Sequence, residues 1–155
     1  MKFRWMIVAL ALLAAVGFAC SVQLGRWWAV GDVEVGPFGS RHCFAAGQCQ
    51  PAGLGWIGGT PQWTRFGMAT WAGGLIAMFA LVVMAAALAA RRVPRLAAKA
   101  VLVSIATAAI AGTVFIVQFP GIDGAHLDRG AWLFGGAVLV GIVAAIGVLR
   151  APRPA

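Results

Sequence analysis

Two of the three cysteines and both histidines of this 155-residue chain are placed where their side chains could do chemistry. Cys43 and Cys49 lie in the stretch "RHCFAAGQC", and His42 directly precedes Cys43. His126 lies far along the chain. Such a set could form a structural disulfide, exchange disulfides with a partner, or bind a metal such as zinc. The choice depends on the compartment and on the elements that hold these residues.

The composition indicates a membrane protein. The chain is 62% hydrophobic and 10% charged, with a mean hydropathy of +0.92, whereas soluble domains are about 25% charged. Four runs without a charged side chain cover residues 5–24, 66–90, 100–119 and 131–149. About 20 residues at about 1.5 Å each cross a hydrocarbon core of about 30 Å. We therefore predict an all-α membrane protein, with residues 1–155 forming a single domain, a four-helix transmembrane bundle.

The basic residues are distributed unevenly between the two ends of these runs. Eight of the twelve lie at the end that also holds both termini and the turn 91–99: Lys2, Arg4, Arg91, Arg92, Arg95, Lys99, Arg150 and Arg153. The opposite end has the other four bases and all four acids, so its formal charge is zero: Arg26, Arg41, Arg65, Arg129, Asp32, Glu34, Asp123 and Asp128. The positive-inside bias predicts cytoplasmic N- and C-termini, with loops 25–65 and 120–130 outside.

The same distribution argues against several functions. The net charge of +8 encodes orientation, and no basic patch is interleaved with stacking aromatics, so we expect no nucleic-acid binding. Contact between the basic turn and anionic membrane lipids is expected instead. No ionisable residue lies inside a run, which argues against a pump or a coupled transporter. A haem between helices would need histidines inside the runs, so no cofactor is predicted.

The first run has an alternative interpretation as a signal peptide. It follows the basic start "MKFR", and Gly17-Phe18-Ala19 forms a small-x-small cleavage pattern before Cys20. We favour an uncleaved span, in which Cys20 is a buried free thiol. The other three runs keep their orientation in either case.

The long outer loop 25–65 is expected to be structured. Val33, Glu34 and Val35 lie between glycines, which predicts a strand, and "HCFAAGQC" predicts a second short strand that turns at Ala46-Gly47. A small antiparallel sheet would then lie on the outer side of the bundle.

An external location favours a disulfide between Cys43 and Cys49, since that environment oxidises thiols and paired strands bring the two within reach. Disulfide exchange is a less favoured alternative, because the spacing is C-x5-C rather than C-x-x-C and a second pair is absent. Metal binding is also less favoured, because His42 and Cys43 would point to opposite faces of a strand. We predict no metal site.

Small residues and tryptophans indicate how the helices pack and where they end. Within a bilayer, helices associate through small residues that allow close approach. Each run has such a stripe, and the predicted packing positions are Gly73, Ala77, Ala108, Gly112 and Gly141. The stripes are expected to pack the bundle itself, with contact to another subunit as the alternative. Most tryptophans are expected at the water interface: Trp5 inside, and Trp27, Trp28, Trp63, Trp71 and Trp132 outside.

The predicted architecture resembles the claudin and peripheral-myelin-protein tetraspans, whose first outer loop has a W…GLW…C…C signature. The likeness covers nearly the whole chain at the level of topology, and the third run, led by Lys99, is also similar. The corresponding residues are Trp27 or Trp28, then Gly36-Pro37-Phe38 in place of Gly-Leu-Trp, then Cys43 and Cys49, with Arg65 matching a basic residue of the family. The resemblance implies a sheet that contacts neighbours in the same or an opposing membrane.

The expected function is therefore non-enzymatic: lateral or cell-surface assembly through the first outer loop. The expected partners are membrane lipids and either further copies of the chain or other membrane proteins. An accessory subunit of a larger respiratory or transport complex is the main alternative, and a thiol-disulfide exchange protein is the third.

Overall fold

Four long apolar helices form the body of the protein in the computed structural model, which describes residues 2–24, 26–43 and 48–151. Helix α1 covers Lys2–Ala19 and continues as a π-helical turn, Cys20–Leu24. Helices α2, α3 and α4 cover Pro61–Ala89, Arg95–Val117 and Arg129–Arg150. All four are long and apolar enough to cross a membrane, as the sequence predicts.

Helix α2 begins and ends at residues different from the predicted ones. Helix α2 begins five residues before the predicted span because Thr60 caps it: the Thr60 hydroxyl accepts a hydrogen bond from the Trp63 amide at 3.2 Å, and Pro61 occupies the first position. The helix ends at Ala89, and Pro94 is the N-cap residue of α3.

The helices pack in a ring, in which α2 contacts α1 and α3, and α4 also contacts α1 and α3. The Arg95 guanidinium donates to the Ala151 carbonyl at 2.9 Å, which ties the α2–α3 turn to the end of α4. The predicted packing residues are all buried inside this ring: Gly73, Ala77, Ala108, Gly112 and Gly141. A Cβ on Gly73 would lie 3.0 Å from the Ala108 Cβ. These five small residues therefore face the interior of the bundle.

A five-stranded antiparallel sheet caps one end of the bundle. Four strands come from the first loop: β1 Trp28–Val30, β2 Val33–Val35, β3 Ser40–Cys43 and β4 Cys49–Ala52. The fifth, β5 His126–Leu127, comes from the second loop and gives the order β4-β3-β2-β1-β5. The predicted sheet is confirmed, and the second loop joins it unexpectedly. The predicted turn at Ala46-Gly47 lies outside the described residues.

Candidate functional site

Trp27 connects the sheet to the bundle. Its backbone amide donates to the Val35 carbonyl at 2.8 Å, and its carbonyl accepts from the Asp128 amide at 2.8 Å. Its indole N–H donates to the carbonyl of Ser21 at 3.2 Å, and the Ser21 hydroxyl in turn donates to the Gly130 carbonyl at 2.9 Å. One fully buried residue thus joins the end of α1, the edge of the sheet and the start of α4.

An aromatic cluster fills the space between the sheet and the helices. Trp27 packs against Phe134 with ring centroids 4.9 Å apart, and Trp28 stacks on Phe119 at 4.5 Å. Trp63 stacks on Phe115 at 4.8 Å. Stacked and edge-on aromatic pairs contribute about 0.5–1.5 kcal/mol each beyond the area they bury. The cluster therefore holds the sheet in a fixed position on the bundle.

Trp63 also closes the end of α3. Its indole N–H donates at 2.9 Å to the carbonyl of Phe115, which lies in the last turn of α3, where carbonyls lack helical donors. The side chain is fully buried against the neighbouring helix. The reason is that α2 starts at Pro61 and carries Trp63 alongside α3.

The connection between β2 and β3 packs against α2. The Gly36 amide donates to the Gly39 carbonyl at 2.8 Å, which closes the connection, and Pro37 is fully buried. A Cβ on Gly67 would lie 2.4 Å from the Pro37 carbonyl oxygen, so this close approach requires a glycine in α2. Phe38 follows with its ring stacked on Trp71 at 4.7 Å and remains 59% exposed.

The hairpin of β3 and β4 carries the predicted disulfide. Cys43 and Cys49 lie opposite each other in the register, and their sulfurs are bonded at 2.07 Å. The disulfide is confirmed. Cys20 is a free cysteine, half buried in the π-helical turn.

Beyond β4, a short 3-10 turn, Gly55–Ile57, presents an exposed tryptophan. The Trp56 indole N–H donates to the Ser40 hydroxyl at 2.9 Å, and that hydroxyl contacts the Gly53 carbonyl at 3.0 Å. The indole is thereby fixed in orientation while 55% of the side chain stays exposed. All four residues of β4 are exposed as well, and no other strand of the described chain pairs with its outer edge.

A cleft of about 650 Å³ lies between the C-terminal end of α1, with its π-helical turn, and the first-loop sheet. Arg26, on its wall, forms ion pairs with Glu34 and, at 3.0 Å, with Asp128. Arg41 also lines the cleft and lies opposite Glu34 in the register. Asp128 does not line the cleft, but with Asp128 included two bases and two acids balance around it, so little net charge is left to select an ion.

The predicted loop residues separate into three groups. Trp27 and Trp28 belong to the buried cluster, and Gly36 and Phe38 to the β2–β3 connection on α2. Arg65 is exposed on the first turns of α2 and shares in none of these contacts. Sequence reasoning missed the contacts made by a further set of residues: Ser40, Trp56, Trp63, Gly67 and Gly130. The only local signal for these contacts is the type of each residue.

Within residues 2–24, 26–43 and 48–151, no three His, Cys, Asp or Glu side chains are grouped to hold a metal ion. Comparison with protein-family models, curated proteins and solved structures finds no match to this chain. The geometry of the sheet end of the bundle is therefore the basis for a functional proposal.

Proposed function

We propose that this chain is a non-enzymatic membrane tetraspan that assembles with neighbouring copies of itself through its outer sheet. The four apolar helices would span the membrane with both termini in the cytoplasm. Charge supports this orientation. The end of the bundle opposite the sheet has Arg91, Arg92 and Arg95, whereas at the sheet end Glu34 and Asp128 form ion pairs with Arg26. Helix α1 would stay in the mature protein rather than be cleaved as a signal peptide, because its Ala11 and Phe18 are fully buried in the core.

The observation that carries the proposal is the fixed, exposed indole of Trp56. Its only polar atom is already bonded to Ser40, so its outward face offers an apolar surface alone. Trp is enriched among residues that dominate binding energy, and a side chain ordered before binding loses less entropy on association. Together with the exposed strand β4, Trp56 forms what we call the assembly surface, Cys49–Ala52 and Gly55–Ile57.

The disulfide has a structural role in this proposal. It covalently joins β3 to β4, the edge strand that has only one neighbour and little core beneath it. The resemblance to claudins supports the same interpretation, since their first-loop cysteines also join two strands. Thiol-disulfide exchange would instead require the pair to form mixed disulfides with a partner.

The test is the native mass of the protein after extraction in a mild detergent, with an affinity tag on the C-terminus. We expect discrete multiples of the chain, and Trp56→Ala should weaken self-association about 30-fold, the effect of a hot-spot residue worth about 2 kcal/mol. Trp5→Ala is the matched control, since Trp5 is 52% exposed at the other end of the bundle.

Three outcomes would count against the proposal. Equal self-association of Trp56→Ala and the unmodified protein would exclude the assembly surface. Recovery at fixed stoichiometry with unrelated membrane subunits would make the chain an accessory subunit. Trapped mixed disulfides at Cys43 or Cys49 would indicate an exchange enzyme. Protease protection of the C-terminal tag in sealed right-side-out vesicles tests the orientation separately.

A further inference from the structure

A groove of about 510 Å³ runs along the outside of the bundle between α1 and α4. The two helices touch at its floor, where a Cβ on Gly17 would lie 3.0 Å from the Ala137 Cβ. Beside this contact, Gly136 is exposed and a Cβ there would have no heavy atom within 4 Å. The missing side chain at Gly136 leaves space between the helices, and Leu13 and Val140 also line the groove.

The length of the groove along the bundle is about the thickness of one membrane leaflet. Its lining extends along α4 from Arg129 to Val140, which is roughly 16 Å at about 1.5 Å per residue. This is about half of a hydrocarbon core of roughly 30 Å. In the proposed membrane orientation, on which this inference rests, the groove lies in the outer leaflet with Arg129 at the headgroup level.

The mouth of the groove is cationic and aromatic, although its interior is apolar. Arg129 is exposed, and its guanidinium has no ion pair among the described residues, because the neighbouring Asp128 carboxylate pairs with Arg26. Trp132 lies one helical turn further on the same face and is 72% exposed. Arginine and tryptophan at this depth are suited to a phosphate and to the glycerol region beside it.

We propose that this groove binds one phospholipid of the outer leaflet, with an acyl chain along the floor and the phosphate at Arg129. The ligand must be apolar over most of its length and anionic at one end, which is the charge pattern of the groove. An extended peptide segment does not fit, because the floor has no polar groups to satisfy its backbone.

A second copy of the chain does not fit either. Two copies that met groove to groove would be related by a two-fold axis along the membrane normal, which places the two Arg129 side chains at the same height. Such an interface would leave a void and bring like charges together. A separate lipid molecule fills the space and neutralises the charge.

The experiment is native mass spectrometry of the purified protein with added dioleoyl phosphatidylglycerol, compared with the diacylglycerol that has the same chains and no phosphate. We expect one saturable phosphatidylglycerol site and about tenfold weaker binding for Arg129→Gln, which removes a charge-assisted contact. Gly136→Leu should weaken both lipids, since the new side chain occupies the floor. Arg129→Gln should also abolish the preference for the phosphate-bearing lipid.

Two control variants match these changes outside the groove. Gly135 is the exposed neighbour of Gly136, does not line the groove and has open space at its Cβ position. Arg65 is an exposed arginine near the start of α2, at the same end of the bundle as Arg129. Gly135→Leu and Arg65→Gln should bind phosphatidylglycerol as the unmodified protein does.

The proposal is overturned if all five proteins acquire the same unsaturable series of lipid adducts. It is equally overturned if Gly136→Leu changes the oligomeric mass and leaves lipid binding unaltered, which would make the groove a protein interface. Arg129→Gln keeps the test decisive should Gly136→Leu fold poorly, because it changes only an exposed side chain. Lipid binding is measured on each oligomeric species, so loss of self-assembly leaves this result unaffected.

Discussion

Replacing Gly67 by alanine tests whether the β2–β3 connection is seated on α2 as the structure shows. The added Cβ would lie 2.4 Å from the Pro37 carbonyl oxygen and 2.8 Å from the Phe115 ring. To reach even 3.0 Å, the carbonyl would have to retreat by about 0.6 Å, and it belongs to a buried backbone rather than to a flexible side chain. Overpacking of this kind costs about 1–3 kcal/mol.

Alanine also favours a helix interior over glycine by up to about 1 kcal/mol, which partly offsets the clash. Gly135→Ala isolates that gain, because it makes the same change in α4 where nothing lies within 4 Å. The propensity term cancels in the difference between the two variants, so Gly67→Ala should be less stable than Gly135→Ala by about 1–3 kcal/mol.

The assay is reversible unfolding in detergent micelles, followed by far-ultraviolet circular dichroism for the helices and near-ultraviolet signals for the tryptophans. Gly67→Ala should lose near-ultraviolet signal first, because Phe38 would be displaced from Trp71. If Gly67→Ala and Gly135→Ala are equally stable, the connection does not lie against α2 and the position assigned to the sheet is incorrect.

Two further changes test the rest of the outer structure. Replacing Cys43 and Cys49 together by serine should lower the free energy of unfolding of the sheet by about 2 kcal/mol, measured by hydrogen exchange of its amides, and helix protection should be unchanged. Trp63→Phe removes the buried hydrogen bond to the Phe115 carbonyl and should cost about 1–3 kcal/mol in the same micelle assay, whereas Trp5→Phe at an exposed site should be close to neutral.

The helices and the hairpin could be predicted because their signals are local. A charge-free run of about 20 residues has few alternatives to a transmembrane helix, and Val33 to Val35 between glycines has few alternatives to a strand. The disulfide followed from the compartment and from the strand pairing. In each case the residues that determine the structure lie within the element itself.

The parts that sequence reasoning missed depend on distant partners. His126 and Leu127 are too few to show a periodicity, and they form a strand only because β1 offers them a free edge. Gly130 is required because the Arg26 carbonyl would lie 2.5 Å from its Cβ. Trp63 is buried because α3 ends beside it. Nothing within a few residues of these positions indicates such contacts.

The distribution of small residues limits where this protein can be specific. The stripes at Gly73 and Ala108 are used inside the bundle, so most outward faces of the helices present exposed large apolar side chains such as Ile76 and Phe79. Helix α4 differs, since Gly135 and Gly136 are exposed on its surface. We therefore propose two places for a specific partner, the assembly surface at the sheet end and the groove on the side.

These two places lie on different elements, and their variants should act independently. Trp56→Ala should alter self-association without changing lipid affinity, and Gly136→Leu should do the reverse. If each variant instead changes both quantities, the two sites are coupled, and reciprocity requires that lipid alter assembly by the same factor as assembly alters lipid affinity. Native mass with and without phosphatidylglycerol gives the first factor, and the lipid affinity of each oligomeric species gives the second. If both factors are close to one in the unmodified protein, a variant that changes both quantities has perturbed the fold.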